Sequence, residues 1–374
     1  VDLLKLRGQL TPAQSLGLGI AGVLLILVIW WGLAEAFARK VPVLDHYTTE
    51  LPSALGNDST ATQSLRDSIL MADSLAYANA TEFKKVYPTV PLPGQVVRAF
   101  PKLVKKDGLF FNAVRSVWLN LQGYFWAILI SIPLGFLIGL LPLFKGLFSK
   151  PVDALRYLPL TALIGIFIIW FGIYDEMKIA FLAFGIIVYL LPVVAQRTGE
   201  VEDVYLKTVF TLGATDWQTV KNVYFPAVMS KLMDDIRVLT AISWTYIIVA
   251  EYINKDGGGL GALIYIKRRL GQVPDMFAIL LVIIAIGFIQ DRLFIYLDKR
   301  LFPHKYYKTT LAGILEVKYG IWAVLGMMAF AIFQKLWLPA LSGVMPTLAL
   351  ITVIAGIVFI IYGEIKIQAS LKNA

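Results

Sequence analysis

The chain is dominated by apolar runs, each long enough to cross a hydrocarbon core, which needs about 20 apolar residues as a helix. The first lies at Leu16 to Phe37, and others follow at about 117–141, 157–173, 177–195, 236–253, 276–297, 321–338 and 344–362. Lipid offers no hydrogen-bond partner to a backbone amide or carbonyl, so runs of this length must satisfy themselves as helices. The expected fold is therefore all-α, a polytopic membrane helical bundle of about eight transmembrane helices. Composition agrees: 58% of the 374 residues are hydrophobic and 16% are charged, against about 45–50% and 25% in soluble domains.

The net charge of +9 does not point to nucleic acid, because the basic residues sit at the ends of the apolar runs. There they face anionic lipid and set orientation. With no cysteine and only two histidines, His46 and His304, thiol chemistry and Cys/His zinc sites are excluded.

The first run follows Lys5 and Arg7, and Ala34, Glu35 and Ala36 have the form of a signal-peptidase site. Its apolar part is too long for a signal peptide, whose core has about 7–15 residues, so a retained helix is expected. Basic residues in alternate connections (Lys145, Lys150 and Arg156; Arg197, Lys207, Lys221 and Lys231; Lys299, Arg300, Lys305 and Lys308) place those connections, and both termini, in the cytoplasm. Lys267, Arg268 and Arg269 disagree, falling in a connection assigned to the outside, which either re-enters the membrane or forms a basic surface.

Two segments are not spans. Residues 39–112 form an extracytoplasmic insertion, with a helix expected where Thr60 and Gln63 resemble a capping box before Leu65, Ile69, Ala72 and Ala76; a flexible linker is the alternative. Asn57 and Asn79 match the glycosylation sequon, which means nothing without the right compartment. The second segment, 196–235, contains "TLGATDWQTVKNVYFP" (211–226). Gly213 suits a left-handed helix end, Thr215 and Gln218 form a capping box, and Pro226 is expected to stop the helix begun at Asp216. Trp217, Val220, Val223 and Tyr224 fall on one face of that short helix. An apolar face outside the membrane requires something to bury it.

"DGGGLGALIYIKRR" (256–269) is not a phosphate loop, since the lysine and hydroxyl that come after the last glycine of such loops are missing. The glycines are expected to allow a tight turn. No Gly-x-Ser-x-Gly elbow is present. Ionisable residues at membrane depth are costly and face a cavity or a partner. Glu251 is a candidate for the translocation path or its outer gate, or else a carboxylate reaching the interface. Arg156 and Pro159 are candidates for a cavity entrance, or else ordinary anchoring, and Trp244 is a further path candidate. Asp291 and Arg292 are expected to form a local ion pair or an anchor near the cytoplasmic face.

The spacing from Gly213 to Val223, Tyr224, Phe225 and Pro226 resembles the Gly-x9-Ile-x-Leu-Pro loop of ABC importer permeases. "PLPGQVVRAF" (91–100), "IPLGFLIGL" (132–140), "LRYLPLTALIGIFIIWFGI" (155–173), "AEYI" (250–253), "GGLGALI" (258–264) and "IQDRLFIYLDKRLFPH" (289–304) extend the likeness, in order, to the nitrate, sulfonate, taurine and bicarbonate branch. The resemblance covers about residues 90–305. It implies four parts: an N-terminal helix (1–38), the insertion (39–112), a permease core (113–305) with its coupling loop at 196–235, and a C-terminal transmembrane hairpin (306–374).

The resemblance further implies a permease subunit of the bacterial inner membrane, with no catalytic site, that moves a small solute such as an anion. A separate ATPase, which alone would hold ATP and Mg, would dock on Lys207, Gly213, Ala214, Thr215, Asp216, Trp217, Val223 and Pro226. A second permease subunit, identical or not, and an extracytoplasmic binding protein complete the implied complex. The sequence departs from the pattern where Lys207, Thr208 and Val209 replace Glu-Ala-Ala, and where Asp235 replaces a usual glycine. These departures, with the extra outer and C-terminal segments, keep open an assembly subunit that has lost transport. A gradient-driven transporter is the other class.

Overall fold

The computed structural model describes residues 10–42, 82–307, 312–338, 341 and 343–372. The helix expected at 60–76, both sequons, Lys5, Arg7, His46 and Lys308 lie outside the described residues. Contacts divide the chain into two units, one of residues 1–106 and 267–278, the other of residues 107–266 and 279–374.

The first unit opens with helix α1 (Pro12–Ala36), whose 25 residues reach about 37 Å at 1.5 Å each. Thr11 caps it, its hydroxyl accepting from the Gln14 amide while Gln14 reaches back to the Thr11 amide at 3.0 Å. None of its 18-residue apolar window is buried, as suits a helix surrounded by lipid. Strands β1 (Arg39–Pro42) and β2 (Phe83–Val86) pair antiparallel, Arg39 opposite Val86, and so bring together the two ends of the segment between them. Lys85 and Tyr87 both donate to Glu35, at 2.7 and 2.9 Å, tying this hairpin to α1. Helix α2 (Pro93–Lys105) begins with proline, whose missing amide costs nothing in a first turn, and buries Val96, Ala99 and Leu103 on one face. Lys267 and Lys102 share Asp275, at 3.2 and 3.0 Å. Part of the basic group that conflicts with the charge rule is thus neutralised within its own unit.

The second unit is a helical bundle. Helix α3 (Leu109–Leu140) runs for 32 residues and lies parallel to α6 (Asp175–Gly199). Arg115 meets Asp175 at one end and Gly139 lies against Thr198 at the other. The helices approach closely through glycine: a Cβ on Gly123 would sit 2.4 Å from Leu182, and one on Gly135 would sit 2.5 Å from Val194. Two parallel helices need a connection that recrosses the membrane. The chain makes it with α4 (Pro142–Leu155) and α5 (Leu160–Phe171), bent 92° from each other. The span expected at about 157–173 is α5 together with the bend that leads into it. At 12 residues, α5 reaches only about 18 Å. The residues read as a cytoplasmic loop before it are helical, as α4, and Arg156 to Pro159 make the bend into α5.

After α6 come α7 (Asp203–Thr211), α8 (Asp216–Thr219), a π-helical turn (Val220–Tyr224) and α9 (Phe225–Ile253). The glycine turn leads to α10 (Leu260–Arg269), α11 (Val273–Leu301) and the hairpin of α12 (Ile314–Trp337) and α13 (Met345–Lys372). Buried Tyr124, Phe136, Ile186, Leu190, Leu232 and Ile236 form the main core where α3, α6 and α9 meet. Among the described residues, seven helices are long and apolar enough to span a membrane, or eight if the bent pair counts as one crossing, in agreement with the expected all-α membrane bundle.

Candidate functional site

The most strongly built polar feature is the elbow between α7 and α9. Helix α7 closes with the two hydrogen bonds of a Schellman turn, Ala214 amide to Val209 carbonyl at 3.2 Å and Gly213 amide to Phe210 carbonyl at 3.0 Å. Gly213 has φ of 76°, where a side chain would clash with the backbone. The next helix starts at the expected box: the Gln218 amide donates to Thr215 Oγ1 at 3.3 Å, and the Thr215 amide donates to Gln218 Oε1 at 2.9 Å.

Pro226 does not end this helix, contrary to the sequence reading. The helix runs on from Asp216 to Ile253. Proline has no amide to donate one turn back, and the π turn widens the helix there, with the Phe225 amide reaching Val220 five residues back. The missing bond is absorbed where the turn is already irregular.

The elbow has two faces. Leu212 and Trp217 are 81% and 73% exposed, with Val204, Tyr205 and Phe210 also exposed on α7. Val223 and Tyr224 instead pack on the main core, so the single apolar face expected for Trp217, Val220, Val223 and Tyr224 divides between surface and core. Lys207, Ala214 and Asp216 border the exposed side, Lys207 and Asp216 themselves exposed and Ala214 half-buried.

Ion pairs brace the elbow from below. Arg197 Nε and Nη2 each meet Asp235 at 2.8 Å, and Arg197 Nη1 meets Glu200 at 2.7 Å. That guanidinium holds the Glu200 carboxyl below the usual carboxylate range. Asp235 is thus the anchor of the α6 end. Arg237 pairs with Asp291, while Arg292 lies over the Phe288 ring, so Asp291 and Arg292 do not form the local pair expected of them. Lys305 bridges Asp298 and Asp234 at 3.1 and 3.4 Å. Tyr306 donates to Asp298, which with burial pushes its phenol up to about 12.

The path candidates do not converge. Arg156 is exposed at the end of α4, and Pro159 is the N-cap of α5. Trp244 is buried in α9 and donates to Gln290 at 2.8 Å. Glu251 is wholly buried at the opposite end of the bundle from the elbow. It accepts from Ser116 Oγ at 2.7 Å and from the Gly261 amide at 2.9 Å, while Ser116 accepts from the Leu260 amide at 2.9 Å. A Cβ on Gly259 would lie 2.3 Å from the Glu251 carboxyl, so the turn closes directly on this acid.

Around it, Arg115 meets Asp175 at 2.6 Å and the buried Lys178 donates to the Asp256 carbonyl at 2.5 Å. Sequence reasoning misses Arg115, Ser116 and Lys178. Two of them are cations at the start of apolar helices, which is the one signal that could have marked them.

Residues 131–303 match the family described as "Binding-protein-dependent transport system inner membrane component". A Brucella melitensis chain named as an ABC transporter permease is 30% identical over 57% of this chain and 87% of its own length. A Bacillus subtilis chain named for the transport of aliphatic sulfonates is 27% identical, over 57% and 76%. The taurine transport system permease of Escherichia coli K12 is 24% identical, over 57% and 79%.

Proposed function

The chain belongs to the family of binding-protein-dependent transport system inner membrane components, the permeases of ABC transporters; from that premise we propose that it carries a small anion through the inner membrane as the permease subunit of an ATP-driven importer. The observation that carries this reading is the elbow. Two capped helix ends hold Leu212 and Trp217 exposed on the turn, and Arg197 ties the end of α6 to Asp235 of α9 and to Glu200 just before α7. Exposed apolar side chains on a polar-rimmed surface suit a protein partner.

In this reading the elbow is cytoplasmic, as are both termini, and a separate ATPase docks on it and supplies ATP and Mg. Closure of two ATPases draws two elbows together, one on each of two permease subunits, and tips the paired bundles between inward-open and outward-open states. Solute arrives from an extracytoplasmic binding protein. Relatives named for sulfonate and taurine transport support an anionic substrate. Lys207, where the wider family has an acid, faces the ATPase and requires a different charge on the opposing surface.

Gly213→Asp tests the reading. A side chain at φ of 76° costs about 1–2 kcal/mol and reshapes the turn without touching a span. Membrane insertion is expected to persist, while ATP-dependent uptake in vesicles and coupled ATP hydrolysis are lost; unchanged uptake refutes the assignment. Lys207, Thr208 and Val209 also favour a second reading, an assembly subunit without transport. A complex that copurifies with an ATPase yet shows no ATP-dependent uptake with any small anion selects it.

A further inference from the structure

Helix α4 carries a second polar surface that the elbow does not use. Lys145, Ser149, Val152, Asp153 and Arg156 recur at helical spacing on one face. That face closes a cavity of about 330 Å³ against the ends of α3 and α6, with Gln196 on the far wall. Val152 anchors the helix there, packed with Ile138 and Leu191. The glycine at 139 permits the approach of the two long helices that form the floor, since a Cβ there would overlap Thr198.

The charges in this cavity are unspent. Of the cations at this end of the bundle, Arg197 pairs with Asp235 and Glu200, Lys231 with Glu200 and Lys305 with Asp298, while Lys150, Lys207 and Lys221 are exposed and make no ion pair with a described residue. Lys145 and Arg156 make no ion pair with any described residue, Asp153 included. The two cations stand about 16 Å apart along one wall of the cavity, so a tetrahedral oxyanion over the hydroxyl of Ser149 is reached by both only when the two long side chains extend toward each other. The lysine acts as a point charge and the arginine as a planar fork. Asp153, on the same face, suits an ammonium group carried next to the oxyanion.

The surroundings of the cavity also bear on its ligand. Helices α3 and α6 end beside it, at Leu140 and Gly199. Leu143, Leu147 and Phe148 of α4 are exposed beside the cavity, as an interfacial helix presents apolar side chains to acyl chains while its polar face meets headgroups.

We propose that this cavity is a binding site for a tetrahedral oxyanion, the phosphate of a membrane phospholipid or a free sulfonate or phosphate, held between Lys145 and Arg156 where the broken span begins. It stands whether or not the elbow docks an ATPase, because it rests on the α4 face alone.

Two measurements on the purified full chain test it and separate the two sources. Native mass spectrometry counts retained phosphatidylglycerol and phosphatidylethanolamine, and thermal unfolding is monitored with and without sodium sulfate or taurine. The Lys145→Ala, Arg156→Ala double variant is compared with the charge-keeping Lys145→Arg, Arg156→Lys variant; unchanged helix content shows that each remains folded. If the double alanine variant does not fold, single Lys145→Gln and Arg156→Gln variants replace it.

Loss of one bound phospholipid, or at least about a tenfold fall in its retention, in the alanine variant alone supports the site with lipid as its source. An unchanged lipid count, with the sulfate- or taurine-induced shift lost only in the alanine variant, supports the site with a free oxyanion. Lipid retention and anion shifts that are both indifferent to the two cations overturn the proposal.

Discussion

Glu251 shows how far a single residue can be read. An isolated acid near the end of an apolar run is conspicuous in sequence, and its cost at that depth predicts a partner. The partners are not conspicuous. Ser116 is 135 residues away, and the other donor is a backbone amide at Gly261 that carries no side-chain signature. The acid thus seats the glycine turn from a wholly buried position.

Removing it leaves the Ser116 hydroxyl and the Gly261 amide buried without an acceptor, at about 1–3 kcal/mol each. Glu251→Ala is therefore expected to lower the thermal unfolding midpoint of the purified protein markedly, and Glu251→Gln, which keeps one acceptor oxygen, by less. Gly259→Ala adds a side chain both at φ of 113° and within the volume of the carboxylate, and should destabilise at least as much as Glu251→Ala. If all three variants unfold with the wild type, the acid does not hold the turn.

At the scale of the element, the elbow is legible in sequence and the broken span is not. Gly213, Thr215 and Gln218 act through neighbours within five residues, so local sequence contains the whole of their geometry. Pro226 misleads because a proline forbids one hydrogen bond, not the helix. Whether the chain stops or widens depends on Val223 and Tyr224 finding the core, which is tertiary information. The bend of α4 against α5 is hidden for a related reason: Lys145, Lys150 and Pro151 make α4 look like a loop, yet it is a helix, and the return that the parallel packing of α3 on α6 requires comes only with a bend of 92° into α5.

The π turn carries a prediction. One residue of excess in a helix rotates everything before it by about 100° relative to the residues after it. Pro226→Ala restores the amide and lets the turn relax to α geometry, which would swing Trp217 around the helix while Val228 and Leu232 remain packed. Folding and membrane insertion should persist and ATPase stimulation should fall severalfold in reconstituted vesicles. Full stimulation would mean that the orientation of Trp217 is not set by this turn.

For the whole molecule, the C-terminal hairpin raises the question of how two added helices join a family core. Helices α12 and α13 pack through small residues, Gly313 and Gly320 against Gly363 and Gly356, where any Cβ would strike the opposite backbone. In a membrane such contacts provide the packing that hydrophobicity cannot, since lipid is equally apolar. The hairpin is joined to α11 by one carboxylate. Glu364 accepts from Arg300 through both oxygens at 2.6 Å and from Tyr296 at 2.7 Å, and Ile314, Val317 and Ile367 pack over Tyr296 and Leu301. Sequence shows two more spans but not this joint, because Arg300 resembles one more basic residue at the end of a helix.

The Arg300 side chain is 13% exposed and that of Glu364 is 23% exposed, so Glu364→Ala leaves a guanidinium largely enclosed without its partner, a loss of about 3–5 kcal/mol where the pair is fully buried and less here. The expected result is a hairpin that detaches before the core unfolds: protease cleavage between residues 307 and 313 appears at temperatures where the wild type resists, while Arg197 and Asp235 still hold the elbow and ATPase binding is unchanged. Glu364→Gln, which keeps two acceptor lone pairs but no charge, should lie between the two. Joint loss of hairpin and elbow in a single transition would instead make the hairpin part of the cooperative core.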